Sequence, residues 1–338
     1  DVIKIFSAAF SHDEAPRLAV HGRGRPPGGF QKGLGLVCVD RSRGERAGAV
    51  AAGQGRQQLD GGQSFRWRRD EAGDWQGVFG TTVAAVRVGA AGLEGRVLGP
   101  ADAGLAALRA YLDAEGAQAR LAADLPWRSD PVLAGALQLH PGLRILRQPP
   151  RDALIGFLCS SNKRILQIRE MVARLATELG ADLGAGCHAL PEWSALAAAD
   201  DATLKRCALG YRAAFLRGTA RQLAARPDWA EAFAALPTPA LLTELRALPG
   251  VGPKVAACVA LFGFGRLESF PVDTWVVQAL GEAYGLRGWP ADRLESFGRI
   301  HFGPAAGLAQ QFLFAAARAG QLPVTPAIRP TPRARARR

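Results

Sequence analysis

Paired cysteines are missing from this 338-residue chain. Its five cysteines, Cys38, Cys159, Cys187, Cys207 and Cys258, contain no Cys-x-x-Cys spacing and are odd in number. That argues against a disulfide framework, a zinc ribbon and a cysteine-ligated iron–sulfur cluster, so no metal site is expected. A reducing cytoplasm is the expected compartment. Long apolar runs are missing too. The longest candidate, around Val255 to Phe264, falls short of the roughly 18 to 20 residues a membrane span needs, and no membrane partner is expected. Near the start, acids are interspersed and no apolar h-region stands out, so neither a signal nor a transit peptide is expected there.

Acidic residues are in deficit, 30 against 42 Lys and Arg, for a net charge of +12. The excess is unevenly placed: residues 1–55 carry +3 and residues 329–338 carry +5, leaving +4 for everything between. The body is only mildly basic, so charge alone points weakly to nucleic acid. The Arg-rich end reads as a solvated tail.

Texture changes along the chain. Residues 1–55 include HGRGRPPGG and show no sustained periodicity, so they read as a disordered extension. From 56 to 150 the reading is an antiparallel β domain with following helices. Its segments SFRWRRD, DWQGVFG, TTVAAVRVG and EGRVLG alternate and are separated by turn residues. From Ala101 onward the pattern is almost wholly helical. Asn162 to Gly180 has apolar residues at helical spacing, and further amphipathic stretches fall near 203–226, 238–247, 254–264, 273–284 and 304–319. The fold class is therefore α+β: a small N-terminal antiparallel sheet, then a large helical body over 151–322, then a basic tail over 323–338.

The sharpest local signal is Leu248-Pro-Gly-Val-Gly-Pro-Lys254. A helix is expected to end by Gly250, with Pro253 at the first position of the next. Glycines let a backbone approach a ligand closely, and a helix start presents free N–H groups that bind phosphate without reading sequence. Gly-x-Gly alone is common in ordinary helix corners; the full heptapeptide is far more specific for a helix-hairpin-helix. Gly250, Gly252 and Val255 are the expected contacts to a DNA backbone, and a monovalent cation could share the hairpin. Lys254 lies in the first turn of the second helix. There the positive end of the dipole, and any burial, favour the neutral amine that can form a Schiff base.

Ser269-Phe-Pro-Val-Asp273-Thr-Trp follows, with Asp273 at the N-cap of TWVVQALGEAYG. A lone Asp there would be a plain cap. Its place nineteen residues after Lys254 raises the functional reading.

With these elements the chain resembles the helix-hairpin-helix DNA glycosylases, which flip bases out of the duplex. The resemblance implies that Asp273 stabilises positive charge on the sugar. It also implies that Lys254 marks a bifunctional member, which forms an imine and then nicks the strand. Four further segments resemble the 8-oxoguanine DNA glycosylase family in particular. Gly62-Gln-Ser-Phe-Arg-Trp67 looks like the signature whose glycine carbonyl accepts the N7 hydrogen that oxoguanine has and guanine lacks; without the family it would read as a strand. Cys159-Ser-Ser-Asn162 resembles the segment whose Asn fills the hole left by the flipped base. Leu209-Gly-Tyr211-Arg212 resembles the segment that wedges beside, and bonds to, the orphaned cytosine. Gly303 to Phe314 resembles the last pocket helix, which implies that Gln310 binds the Watson–Crick edge and Phe314 stacks on the face of the base.

Helical spacing agrees with the resemblance. Lys254 and Cys258, like Gln310 and Phe314, are four apart and share a face. The chain also departs from the family: Gln167 stands where a second Arg is expected, Lys163 and Arg164 replace two Asn, and Trp275 replaces a His. The implied partner is double-stranded DNA containing oxidised guanine, bound by a monomer without any required cofactor. A monofunctional alkylbase glycosylase would lack Lys254, and the adenine and thymine-glycol branches carry a four-cysteine cluster that this chain lacks. A non-catalytic hairpin module would explain Gly250 and Gly252 but not Asp273.

Overall fold

The computed structural model describes residues 59–70, 73–89, 92–98 and 101–322. The extension read at 1–55 and the basic tail read at 323–338 lie outside the described residues. Strands β1 (Trp67–Arg69), β2 (Trp75–Phe79), β3 (Thr82–Gly89) and β4 (Gly92–Leu98) form an antiparallel meander in sequential order. Alternation decides its faces. Trp67, Trp75, Phe79, Ala84, Val86, Leu93 and Val97 form one buried cluster with Leu108 and Tyr111 of α1 (Ala101–Tyr111). Val78 and Val83 turn the other way, onto Cys187. The Trp67 indole donates to the Tyr111 hydroxyl at 3.0 Å, so both polar tips are satisfied inside the cluster.

The segment Gly62 to Arg66 is not a strand; pairing begins only at Trp67. Gly62 has φ of +91°. The buried Gln63 side chain bonds backbone groups of Arg144 and Leu146, holding the segment out of the sheet.

The helical body contains α2 (Ala117–Asp124), α3 (Pro131–Leu139), α4 (Pro150–Ser160), α5 (Ile165–Leu179), α6 (Trp193–Ala198), α7 (Asp201–Arg206) and α8 (Arg212–Ala224). It continues through α9 (Trp229–Ala234), α10 (Thr238–Arg246), α11 (Pro253–Phe262), α12 (Thr274–Ala283), α13 (Ala291–Phe302) and α14 (Ala306–Arg318). Leu125, Val132, Leu133 and Ala136 join the same large core as α4, α11 and α14. Every residue of α11 from Val255 to Phe262 is buried. The longest apolar run of the sequence is thus a core helix, apolar all round because it is surrounded. No helix among the described residues is long and apolar enough to cross a membrane.

One expectation needs correction. The helical stretch near 203–226 is two helices, α7 and α8, broken where Ala208 and Gly210 take φ of +57° and +58°. The region after Ala101 is almost wholly helical, as expected; its departure among the described residues is the small hairpin in which β5 (Asp182–Gly184) and β6 (Cys187–His188) pair, with Cys187 covering the outer face of the sheet. α13 is not among the amphipathic stretches named from the sequence, although it falls within the region read as almost wholly helical; Pro290 stands at its N-cap.

Candidate active site

The hairpin is fixed from below. Leu248 and Val251 are buried, and Thr219 Oγ1 donates to the Pro249 carbonyl at 3.0 Å. α10 ends at Arg246, earlier than the sequence reading placed it, and Gly250 turns the chain with φ of +80°. A Cβ at Gly250 would stand 2.6 Å from the Phe215 side chain, whereas one at Gly252 would meet nothing within 4 Å. The two glycines therefore serve different ends: the first lets the protein pack on itself, and the second leaves room above the helix start. Gly252 caps α11 with no side-chain partner, and the first turn closes where the Ala256 N–H bonds Gly252 O at 2.9 Å. Amides ahead of that bond, including that of Val255, are placed to meet an anion. The Val255 side chain is itself buried, leaving its backbone as the useful group.

Lys254 is exposed on the first turn of α11. The burial considered for it from sequence is not supplied by the chain alone. One turn deeper, Cys258 is buried, and burial pushes its thiol up to about 12; the Lys254 charge pulls it down and the Asp273 charge opposes that. The thiol is therefore protonated near neutrality and acts as a small, weakly polar wall. Lys254, Cys258 and Asp273 all line one cavity.

Asp273 is the N-cap of α12, its Oδ1 accepting the Val276 N–H at 2.9 Å. Capping and a role in chemistry are compatible, because the cap occupies one carboxylate oxygen. Burial lifts the Asp273 carboxyl above the usual carboxylate range, against the opposing pull of the Val276 N–H and the Lys254 charge.

These residues line a cavity of about 770 Å³ with Gly62, Cys258, Gln310 and Phe314, together with Asn162, Gly250, Gly252 and Val255. Pocket residues expected from four distant segments thus meet in one place. Gly62 is held there by its neighbour. Gln63 Nε2 donates to Arg144 O at 2.9 Å, its Oε1 accepts the Leu146 N–H at 2.9 Å, and its carbonyl accepts Gln148 Nε2 at 2.6 Å. The Gln148 N–H in turn bonds Phe262 O, the end of α11, at 2.9 Å. Arg169 of α5 pairs with Asp60 at 2.5 Å, and Arg318 of α14 donates to Asp60 O at 3.1 Å. On the opposite wall, Gln310 Nε2 donates to Pro271 O at 3.1 Å, and Gln311 Nε2 donates to Gln310 Oε1 at 2.7 Å.

Sequence reasoning missed Gln63, Gln311, Arg318 and the aromatic floor of Phe65, Phe157 and Phe262. The floor followed from no local signal. Gln311, an amide inside an apolar helix, was visible as an oddity beside Gln310.

Tyr211 and Arg212 lie outside the cavity lining. Tyr211 is 54% exposed, and the Arg212 guanidinium sits 4.4 Å from its ring centroid. Arg212 is buried and donates to the carbonyls of Leu209 and Ser161. It thereby ties the start of α8 to the turn that carries Asn162, which is exposed with φ of +52°. Gln167, where the family pattern has Arg, accepts the Arg164 N–H at 3.2 Å and closes the start of α5. Trp275 is 39% exposed at the cavity rim. Among the described residues no cluster of three or more His, Cys, Asp or Glu could hold a metal ion.

Comparison with known proteins converges on one family. The model of the 8-oxoguanine DNA glycosylase N-terminal domain matches residues 54–154. The N-glycosylase/DNA lyase of Arabidopsis thaliana is 34% identical over 275 residues, 75% of this chain and 74% of that protein. A probable N-glycosylase/DNA lyase of Methanothermobacter thermautotrophicus is 28% identical over 56% of this chain and 68% of its own length. Among solved structures, the Clostridium acetobutylicum 8-oxoguanine glycosylase/lyase, bound to double-stranded DNA with cytosine opposite 8-oxoG, superposes with a TM-score of 0.73. It is 29% identical, over 78% of this chain and 91% of that one. With a sheet, a hairpin and a cavity arranged as described, and a relative this similar along most of both chains, the protein belongs to the 8-oxoguanine DNA glycosylase/lyase family.

Proposed function

We propose that this chain is a bifunctional glycosylase that excises 8-oxoguanine from duplex DNA and then nicks the strand, with Lys254 as nucleophile and Asp273 as its electrostatic partner. The observation that carries the reading is the cavity itself, which gathers an amine, a carboxylate, an amide and an aromatic ring around a space large enough to admit a flipped base.

The amides at the start of α11, with Gly252 giving access, hold a phosphate, and Asn162 and Tyr211 wedge the duplex from the rim. Arg212 positions that rim from inside. The flipped base lies against Phe314 with its edge on Gln310, and the Gly62 carbonyl accepts the N7 hydrogen of the oxidised base. The Lys254 amine attacks C1′ as the glycosidic bond breaks, the bonding pair leaving with the base, which takes up a proton. The Asp273 carboxylate stabilises the positive charge that builds on the sugar. Ring opening gives an imine on Lys254. Loss of a C2′ proton then expels the 3′ phosphate, and water releases the lysine.

No step is routed through a cofactor. A monovalent cation at the hairpin would be held by backbone carbonyls; Leu248 O and Pro249 O already accept the Val251 N–H and the Thr219 hydroxyl, and each keeps a second lone pair. The working partner is duplex DNA, bound by one copy of the chain.

Borohydride trapping on a duplex with 8-oxoguanine opposite cytosine tests the reading. A covalent adduct with wild type that is absent from Lys254→Gln supports it. Base release without an adduct leaves a monofunctional enzyme, and binding without release leaves a hairpin module.

A further inference from the structure

We propose that the Arg-rich C-terminal segment is a phosphate-binding arm, issued from the rim of the cavity to grip the duplex on one side of the flipped nucleotide. The inference rests on the function proposed above in one respect, that duplex DNA lies across the cavity mouth. Residues 329–338 contain Arg329, Arg333, Arg335, Arg337 and Arg338 and no acid, for +5 against +4 over the whole of 56–328. The cavity lining itself holds Lys163, Lys254 and Arg318 against Asp273. Lys254 is assigned to the chemistry and Arg318 is engaged with Asp60, so the lining has few cations to spare for the strand.

The place from which this segment leaves the body is fixed. α14 is fastened at its end, where Arg318 lines the cavity and donates to the Asp60 carbonyl at 3.1 Å, two residues before Gly62. The helix then stops in a closed turn. Gly320 takes φ of +66°, its N–H bonds Ala317 O at 2.9 Å, and the Gln321 N–H reaches back to Ala316 O at 2.9 Å. This pair of bonds around a left-handed glycine satisfies the last carbonyls of the helix and turns the chain away from its axis. Leu322 packs against the large core directly afterwards, and Pro323 follows it. A proline there cannot continue the helix.

Anchoring decides what the charge can reach. Pro323 lies five residues beyond Arg318, so the segment begins within about 18 Å of a residue that lines the cavity. From there sixteen residues reach at most about 55 Å. A duplex presents one negative charge for about every 1.7 Å of its axis, and neutralising those charges supplies most of its affinity for a basic protein. Tethering the arginines beside the bound strand gives them a high effective concentration for the phosphates next to it. These contacts position the protein without reading sequence. They fall on the side of the lesion nearer Arg318, because the exit point lies there.

The test compares wild type with two full-length variants, one with all five arginines of 329–338 changed to Gln and one with all five changed to Lys. Binding to a duplex carrying a stable tetrahydrofuran abasic analogue is followed by fluorescence anisotropy from about 50 to 200 mM salt. Each phosphate contact adds about 0.9 to the slope of log Kd against log salt, so the Gln variant should be shallower by about 2 to 4.5. Its deficit should shrink as salt rises, and the Lys variant should keep the wild-type slope to within about one contact. Ethylation interference on the same duplex locates the contacts. Phosphates that matter to wild type and not to the Gln variant should lie to one side of the analogue. Equal slopes for wild type and the Gln variant overturn the inference and leave the segment a solvated end. Lost contacts spread evenly about the analogue overturn it too, because the exit at Leu322 would then direct nothing. A wild type that binds this duplex yet forms no borohydride adduct with 8-oxoguanine DNA overturns the catalytic reading instead, and the slopes still decide the arm.

Discussion

The two walls of the cavity are built by different means. One, from Gly250 to Asp273, is local: a turn, two helix starts and nineteen residues between Lys254 and Asp273 place an amine and a carboxylate together. The other is assembled across the chain. Gly62 is held by Gln63 through bonds to residues 81 to 85 positions away, and Asp60 beside it is gripped by Arg169 and Arg318. The local wall carries groups that any imine-forming cleavage needs. The distant wall carries the carbonyl proposed to tell one base from another. Chemistry is thus separable from selection, and substitutions should divide them.

The largest effect is expected on the local wall. Lys254→Gln should abolish the borohydride-trapped adduct and reduce base release to below about a thousandth of wild type. Lys254 is exposed, so the melting temperature should hold, as for other exposed positions. A cooperative loss of fold in this variant would undo the claim that the wall is chemically rather than structurally essential.

Asp273→Asn sharpens the same point. Asn caps a helix as well as Asp does, while the transition state loses its charged partner, for a drop of about 10² to 10³ in single-turnover rate. The stability effect has a defined sign. A carboxyl whose folded value is raised by burial binds its proton more tightly when folded, so its contribution is present in acid and is lost as pH rises through that raised value. The Asn variant should therefore unfold at the same or higher temperature than wild type near neutrality, with the gain shrinking as pH falls. Activity runs the other way: the ionised form is needed, so the acid limb of the wild-type rate profile should lie above the ordinary carboxylate range.

Breaking the distant wall should cost stability and selection together. Gln63→Leu leaves the Leu146 N–H and the Arg144 carbonyl without their partner in a buried place, a loss of about 2 to 3 kcal/mol. Denaturant unfolding would measure it. The preference for 8-oxoguanine over guanine should narrow by more than scission of an abasic site falls. If selection survives while stability drops, the Gly62 carbonyl is held by something other than Gln63.

The same division explains what could be read in advance. The hairpin, the capping Asp and the helical pairs Lys254/Cys258 and Gln310/Phe314 depend on neighbours a few residues away, so their residue types and spacing announce them. The meander was legible for the same reason: alternation is a local record of which face is buried. Gln63 carries no such record. A polar residue before a strand has dozens of equivalent readings, and only the folded chain brings residues 144 to 148 to it. Arg212 shows the limit in another way. The family pattern marks it for the rim, but the pattern could not reveal that its guanidinium turns inward to the Ser161 carbonyl and supports Asn162 from behind. The break between α7 and α8 escaped because Ala208, an ordinary helix former, takes a positive φ there.

The two hairpin glycines give the smallest and most discriminating comparison, since they differ by two positions and one carbon. At Gly250 an added Cβ must tolerate both a φ of +80° and a 2.6 Å approach to Phe215. Gly250→Ala should cost about 1 to 3 kcal/mol, with DNA binding lost through disorder of the turn. At Gly252, where φ is −84° and nothing lies within 4 Å of the added carbon, the fold has no reason to respond. Only a ligand brought close to the backbone would meet the new methyl. Gly252→Ala should keep its melting temperature and bind undamaged duplex a few-fold more weakly, by fluorescence anisotropy, to a similar degree for every sequence tested, because phosphate contacts position without reading bases. If Gly252→Ala binds as tightly as wild type, the DNA backbone does not approach the start of α11. The open space above Gly252 would then belong to the loop alone.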